Sequence, residues 1–496
     1  MSGRSGGIRR VLASGFLLGA LVPTACGGGS GTPPPAPPGN TTPGPGPSEP
    51  TVPSNLNIIL GRPTDTSVTA SVLGEAGTDV SFEYGTASGS YTSQTPVLTT
   101  SAGGPTPIEF TNLAPNTRYY YRARYRPSSE SNYRADVEHS FHTQRRPGST
   151  FSFGVQGDSH PERAGTMFNA DLYAVNMRNA AARQPDFYVA LGDDFSIEKL
   201  IDQNNLTQEN VDLVYRYQRT YFGLLGDRYN TPYRDAPIFA GRARVTYFPL
   251  PAPDGFYSGD TMQVPGVGLV RDYYAFEWGD ALFVVIDPYW HSPVPVDNGV
   301  PGVEKTKDAW EATIGDEQYA WFKKVLETSR AKYKFVFEHH VLGTGRGAAA
   351  IVHTYEWGDY NRNGTAYEFS SLRRNWAKPI HQLMNDNKVT IFFFGHDHLF
   401  AREKVDGVVY QEVPNPADNT YAAFNADAYD PATISLPGAT YDPAYGVIMP
   451  NSGYLDVTVS PDRVTVSYVR VVLPGDEARA GAANGAVAYS YSVTVR

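Results

Sequence analysis

A chain of 496 residues, 41% hydrophobic and 13% aromatic, can build two or three packed domains, which excludes a wholly disordered protein. A net charge of −10 without clustered Lys or Arg excludes a nucleic-acid surface, which needs concentrated cations to displace counterions. The single cysteine, Cys26, excludes an internal disulfide framework.

Arg9 and Arg10 precede an apolar run over 11–22, too short to span a bilayer but suited to the core of an export signal. The run ends at Ala25-Cys26, which resembles the lipobox of bacterial lipoproteins, with Pro23 where that pattern prefers Leu. The resemblance implies a signal over 1–26 and lipid attachment at Cys26; an ordinary cleaved signal with an incidental cysteine is the other reading. Residues 27–53 are so rich in Gly and Pro that they cannot bury apolar surface, and they read as a disordered tether. The expected location is the cell envelope, or the periplasmic or extracellular space, with the membrane touched only through the lipid.

Residues 54–146 carry short β runs, at 56–60, 67–72, 80–84 and 118–125, separated by Gly, Pro, Asn and Ser. The stretch Leu113-Ala-Pro115-Asn-Thr117-Arg-Tyr119-Tyr-Tyr121 resembles the tyrosine corner of fibronectin type III domains and implies a β-sandwich. Tyr119 and Tyr121 alternate as core residues do.

Pro147-Gly148 ends that module, and 150–496 alternates strands with helices, an α+β pattern. Strands are predicted at 151–155, 187–191, 273–278, 281–287, 334–337 and 390–394, and helices at 164–183, 207–225, 316–329 and 379–386. The tail returns to strands at 454–459, 464–472 and 489–495.

Four polar clusters directly follow apolar strands, where α/β sheets place their ligand sites. They are Gly157-Asp158-Ser159-His160, Gly192-Asp193-Asp194, Glu338-His339-His340 and Gly395-His396-Asp397-His398. A carboxylate and an imidazole two residues apart on a segment leaving a strand can face one ion, and the Gly lets the backbone turn. Mixed oxygen and nitrogen donors suit iron, manganese or zinc rather than calcium.

These motifs resemble the calcineurin-like metallophosphoesterase superfamily, over 151 to the C-terminus. The resemblance implies a four-layer fold, two mixed sheets between helices, preceded here by the all-β sandwich. It implies phosphatase or phosphodiesterase activity on a small phosphorylated substrate, with two divalent or trivalent transition metal ions and a metal-bound hydroxide as nucleophile. Asp158, His160 and His398 would bind one ion, Asp193 would bridge, and His339 and His396 would complete the second, with His340 the alternative to His339. The sandwich also resembles that of purple acid phosphatases. Those enzymes carry a metal-bound Tyr three residues after the bridging Asp, where this chain has Ser196, and lack a His equivalent to His160, so no purple colour is expected.

One family motif is missing. A Gly-Asn-His segment should follow an apolar strand, and the apolar 237–241 runs instead into Arg242-Ala-Arg244; no Asn-His dipeptide occurs in the chain. In the family that Asn binds the second metal, and its His protonates the leaving group or holds the phosphate. Asn230, His291 or His353 could substitute, Arg242 or Arg244 could hold the phosphate, or turnover could be impaired. General acid catalysis contributes typically ~10² to 10⁴-fold, so its loss would cripple the enzyme without removing the metal-bound nucleophile. Finally, Asp359-Tyr-Asn361-Arg-Asn363-Gly364 opens like a calcium loop but has Ser370 where an EF-hand needs Glu, and reads as an Asx-rich turn. The segment Asp287-Pro-Tyr289-Trp290-His291 follows a strand and either lines a substrate mouth or packs in the core.

Overall fold

Alternation of buried and partly exposed residues along Arg118–Pro127 makes this strand the spine of one sheet, paired antiparallel with Thr78–Gly85 and His139–His142. The computed structural model describes residues 56–194, 200, 205–222, 229–232, 238–293, 306–343, 345–429 and 446–496. The signal, Cys26, the tether and Ser196 lie outside them. Facing the Arg118–Pro127 sheet, Asn57–Gly61, Val68–Leu73 and Thr106–Phe110 pair antiparallel. Phe82, Phe110, Tyr121 and Phe141 fill the space between, with Phe110 5.1 Å from Phe82, 5.5 Å from Tyr121 and 5.2 Å from Phe141. The Tyr119 hydroxyl accepts the Ala114 N–H at 2.8 Å, five residues upstream, so the expected tyrosine corner and sandwich are present.

The sheet of Asn57–Gly61 does not end at its own edge but forms the first of two large sheets. Leu60 pairs in parallel with Tyr229, and the sheet continues through Tyr229–Pro232, Phe187–Ala190, Phe151–Gln156, Gly453–Val459 and Arg463–Arg470 to Val487–Thr494. The fully buried Arg219 reinforces the junction: its guanidinium donates to Asn57 Oδ1 at 2.8 Å, Ser71 O at 2.7 Å and the Tyr247 carbonyl.

A second mixed sheet orders Ser258–Gly259, Tyr274–Trp278, Ala281–Val285, Tyr333–Phe337, Ile391–Phe394, Val408–Glu412, Phe400–Val405 and Val447–Met449. Its central parallel strands are buried at every residue, as expected of a sheet covered on both faces. Phe153 from the first sheet meets Phe187 at 5.4 Å and Phe283 at 5.1 Å, and Phe337 meets Phe393 at 5.1 Å, so an aromatic layer fills the space between the sheets. Ala170–Ala182, Gln208–Phe222 and Ile238–Tyr247 cover the outer face of the first sheet; Gly315–Thr328 and Ile380–Asp386 cover that of the second. The layers run helix, sheet, sheet, helix, the expected α+β architecture.

Two local readings are corrected. The helix predicted from 164 starts at Ala170, because the Asn169 side chain caps it by accepting Leu172 N–H at 2.9 Å, while Pro161–Arg163 forms a separate 3₁₀ turn. The segment 237–241, read as an apolar strand, enters helix Ile238–Tyr247 instead; Ala240, Ala243 and Tyr247 recur at helical spacing and are all buried. The sheet position beside Phe187–Ala190 goes to Tyr229–Pro232. Finally, the hairpin Phe400–Val405 and Val408–Glu412 was not anticipated; it turns at Asp406-Gly407, both at positive φ, 48° and 97°. No helix among the described residues is long and apolar enough to cross a membrane.

Candidate metal centre

Two loops from each sheet converge. Asp158 and His160 follow Phe151–Gln156, Asp193 follows Phe187–Ala190, His339 and His340 follow Tyr333–Phe337, and His396 and His398 follow Ile391–Phe394. Each strand is apolar and buried, so the chain turns at its first polar residues, and those turns meet. Bonds from main-chain N–H groups lock them together: His160 N–H donates to Asp193 O at 3.1 Å, Gly395 N–H to His339 O at 3.0 Å, and His396 N–H to the Asp158 side-chain Oδ1 at 2.8 Å. A Cβ at Gly395 would lie 2.6 Å from Asp158 Oδ1, so only glycine permits this approach. His160, Asp193, His396 and His398 all sit at positive φ, 49°, 43°, 83° and 55°. Non-glycine residues there cost of order 1–3 kcal/mol each and persist where surroundings over-determine them, typically at functional sites.

Asp158 Oδ2 lies 3.0 Å from His398 Nε2, 3.7 Å from His160 Nε2 and 3.8 Å from His339 Nε2. Asp193 Oδ2 lies 3.3 Å from His339 Nε2 and 3.5 Å from His160 Nε2. Donor atoms of Asp158, His160 and His398 all fall within 4.8 Å of one another, as do those of Asp158, Asp193, His339 and His396. Metal–ligand bonds of about 2.0–2.2 Å imply donor–donor edges of about 3 to 3.5 Å, which most of these separations approach. The buried Nδ1 atoms of His396 and His398 make no hydrogen bond among the described residues. The donor set therefore fits the transition metals expected from its chemistry, with all six predicted ligands brought together.

Electrostatics separates the members. Burial works to raise the Asp158 carboxyl, but His339 and His398 beside it prevail and hold it below the usual carboxylate range. Burial works to lower His160, yet its bond to Glu162 and the nearby Asp193 raise it overall. His396, with burial and His339 acting together, falls well below the usual imidazole range and is neutral at pH 7. Of the paired histidines, His339 faces both carboxylates. His340 bonds through Nδ1 to the Tyr289 hydroxyl and lies with its ring 3.6 Å from that of His396, so His339, His340 and His396 also form a ligand group.

Two solved structures share this architecture. A purple acid phosphatase from yellow lupin (Lupinus luteus) seeds is 14% identical, with a TM-score of 0.53, covering 88% of this chain and 74% of that one. The structure of PhoD is also 14% identical, with a TM-score of 0.61, covering 88% of this chain and 90% of that one. This chain has the calcineurin-like metallophosphoesterase fold, preceded by a β-sandwich. No family model and no curated protein sequence matches it.

Of the residues considered as replacements for the missing motif, Arg244, His291 and His353 are engaged in other contacts. Arg242 is exposed, and Arg244 is buried with its guanidinium donating to Val270 O at 2.6 Å. His291 bonds Asp272 at 2.9 Å, and His353 groups with His381 and Asp406. Asn230 lies in Tyr229–Pro232, whose side chains are outside the described set. The candidate calcium loop is an Asx-rich turn, in which Asn361 Oδ1 accepts Thr365 N–H at 2.9 Å.

The supporting shell escaped sequence reasoning. Glu162 holds His160 Nδ1 at 2.8 Å, a carboxylate–histidine pair that aims Nε2 at the centre; its signal was its place two residues after His160. Ser159 and Gln218 tie the Asp158 loop to Asp194 O and to the Tyr173 hydroxyl. Beneath the His396 loop, Asp397 takes Arg346 at 2.8 Å and the Tyr429 hydroxyl at 2.7 Å, and Glu412 takes Asp397 N–H at 2.9 Å. Glu403, which accepts the N–H groups of Ala348 and Ala349, is pushed by burial up to about 7.

Proposed function

We propose that this protein hydrolyses phosphate esters, using two transition metal ions of the iron, manganese or zinc class. Asp158, His160 and His398 would hold one ion, His339 and His396 the other, and Asp193 would lie between them. The observation that carries this reading is Asp193 Oδ2, which lies 3.5 Å from His160 and 3.3 Å from His339, one histidine of each set. Ions bound there would supply positive charge against the phosphoryl oxygens and acidify water. The chain's own part is positional: Glu162 orients His160, Asp158 receives the His396 N–H, and Tyr289 holds His340 beside the second set. His340 would be the imidazole nearest to the role of the missing His.

A second reading is favoured by a specific observation. The chain lacks any Asn-His dipeptide, and Gly241 lies inside a helix rather than at a strand end, so a catalytically impaired metallophosphoesterase-like binding or surface protein fits the same centre. The fibronectin-like sandwich and the Gly/Pro-rich 27–53 support a place at the bacterial envelope, tethered by lipid at Cys26 and with no nucleic-acid partner. Purified protein is expected to carry close to two transition metals at this centre and to hydrolyse an aryl phosphate, both reduced by Asp193→Asn. Unchanged metal content and activity in that variant would overturn the assignment; metal retained by the wild type without hydrolysis would select the second reading.

A further inference from the structure

Away from both ligand groups of the centre, three elements bring another donor set together. His353 precedes the short helix Tyr355–Gly358, His381 lies in helix Ile380–Asp386, and Asp406 occupies the hairpin turn between Phe400–Val405 and Val408–Glu412. A nitrogen from each histidine and an Asp406 oxygen lie within 4.8 Å of one another. His381 Nε2 is 3.0 Å from Asp406 Oδ2, while its Nδ1 is 2.7 Å from the Tyr410 hydroxyl. His353 is only 7% exposed, and its Nε2 makes no hydrogen bond among the described residues. A plain hydrogen-bonded trio accounts for His381 and Asp406 but leaves this buried imidazole nitrogen unexplained, at a cost of about 1–3 kcal/mol for an unmade bond.

We propose that His353, His381 and Asp406 form a separate metal site for a divalent ion of the zinc class. Two imidazoles and one carboxylate are a donor set such ions take, and neither calcium nor magnesium favours nitrogen. The Tyr410 hydroxyl, on His381 Nδ1, orients that ring so that Nε2 points toward Asp406, as outer partners of metal-bound histidines do. The three ligands line one wall of a cavity of about 330 Å³, shared with Trp357, Pro379 and Gln382, which leaves a coordination position open to water or a small anion. Bound there, the ion would pin the hairpin turn and helix Ile380–Asp386 to the segment carrying His353.

The test is Zn²⁺ titration of the full metal-stripped chain, with bound metal counted by mass spectrometry, in two parents: wild type and Asp158→Asn. In each parent, His353→Gln and Asp406→Asn are expected to bind one Zn²⁺ fewer than the parent while keeping its melting temperature. Asp406 is a quarter exposed, so its substitution leaves a folded comparator should His353→Gln fail to fold. Tyr410→Phe is expected to weaken the site ~10–100-fold without abolishing it. Equal Zn²⁺ stoichiometry in parent and variants overturns the proposal. Aryl phosphate hydrolysis by wild-type-parent Asp406→Asn is expected to persist, which separates this outcome from any failure at the main centre.

Discussion

The two donor groups of the candidate metal centre are built differently. Around His160 and His398 the ligands are braced: Glu162 holds one ring at 2.8 Å, and Asp158 Oδ2 lies 3.0 Å from the other. Around His339 and His396 the bracing is thinner. The Nδ1 of His396, like that of His398, makes no bond among the described residues, so neither has a carboxylate partner there as His160 has in Glu162, and the Asn that the family resemblance implies on this side has no counterpart in the chain. The difference teaches that one motif can be missing while the remaining donors still converge, because the four polar clusters each follow a strand of their own. It also locates the expected cost, on the proposed second ion.

Four experiments break or sharpen that contrast. Asp158 contributes to both donor groups, so Asp158→Asn is expected to strip the main centre of both ions and take aryl phosphate hydrolysis to background; retention of both ions would mean the halves do not share it. The paired variants His398→Ala and His396→Ala should each cost one ion, and they should differ. Removing His396 is expected to leave the tighter ion in place, whereas removing His398 leaves only the weaker, as isothermal titration with Mn²⁺ or Zn²⁺ would show. Equal affinities in the two variants would erase the asymmetry. Glu162→Gln should lower affinity ~10–100-fold in the His160 half alone, since it loosens one ring without removing a ligand.

The smallest expected effect is on stability. Glu403, beneath the His396 loop, has its folded value raised from 4.5 to about 7. A raised carboxyl stabilises the fold fully below its unfolded value and loses that contribution as pH climbs through the folded value. Between about pH 4.5 and 7 the melting temperature should therefore fall more steeply in the parent than in Glu403→Gln, as calorimetry across that range would show. Parallel slopes would remove Glu403 from the account.

Much of the centre was legible because four of its candidate ligands sit within three residues of the end of a largely apolar strand. Phe151–Gln156, Phe187–Ala190, Tyr333–Phe337 and Ile391–Phe394 announce themselves by hydrophobicity, and Asp158, Asp193, His339 and His396 follow them. Helix Ile238–Tyr247 was misread because its opening Ile-Phe-Ala-Gly is as apolar as a strand; packing of Ala240, Ala243 and Tyr247 under the first sheet decides it.

By itself the sequence determined the α+β class, the preceding sandwich, the six candidate ligand positions and the missing Asn-His pair, since each depends on residues close in the chain. Tertiary structure alone decided the rest. It ran one sandwich sheet into the phosphoesterase sheet through Leu60 and Tyr229, set His339 against the carboxylates while giving His340 to Tyr289, and gathered His353, His381 and Asp406. Those pairings span tens to hundreds of residues, and no local pattern encodes contacts that only the packing of whole layers brings within a few ångströms.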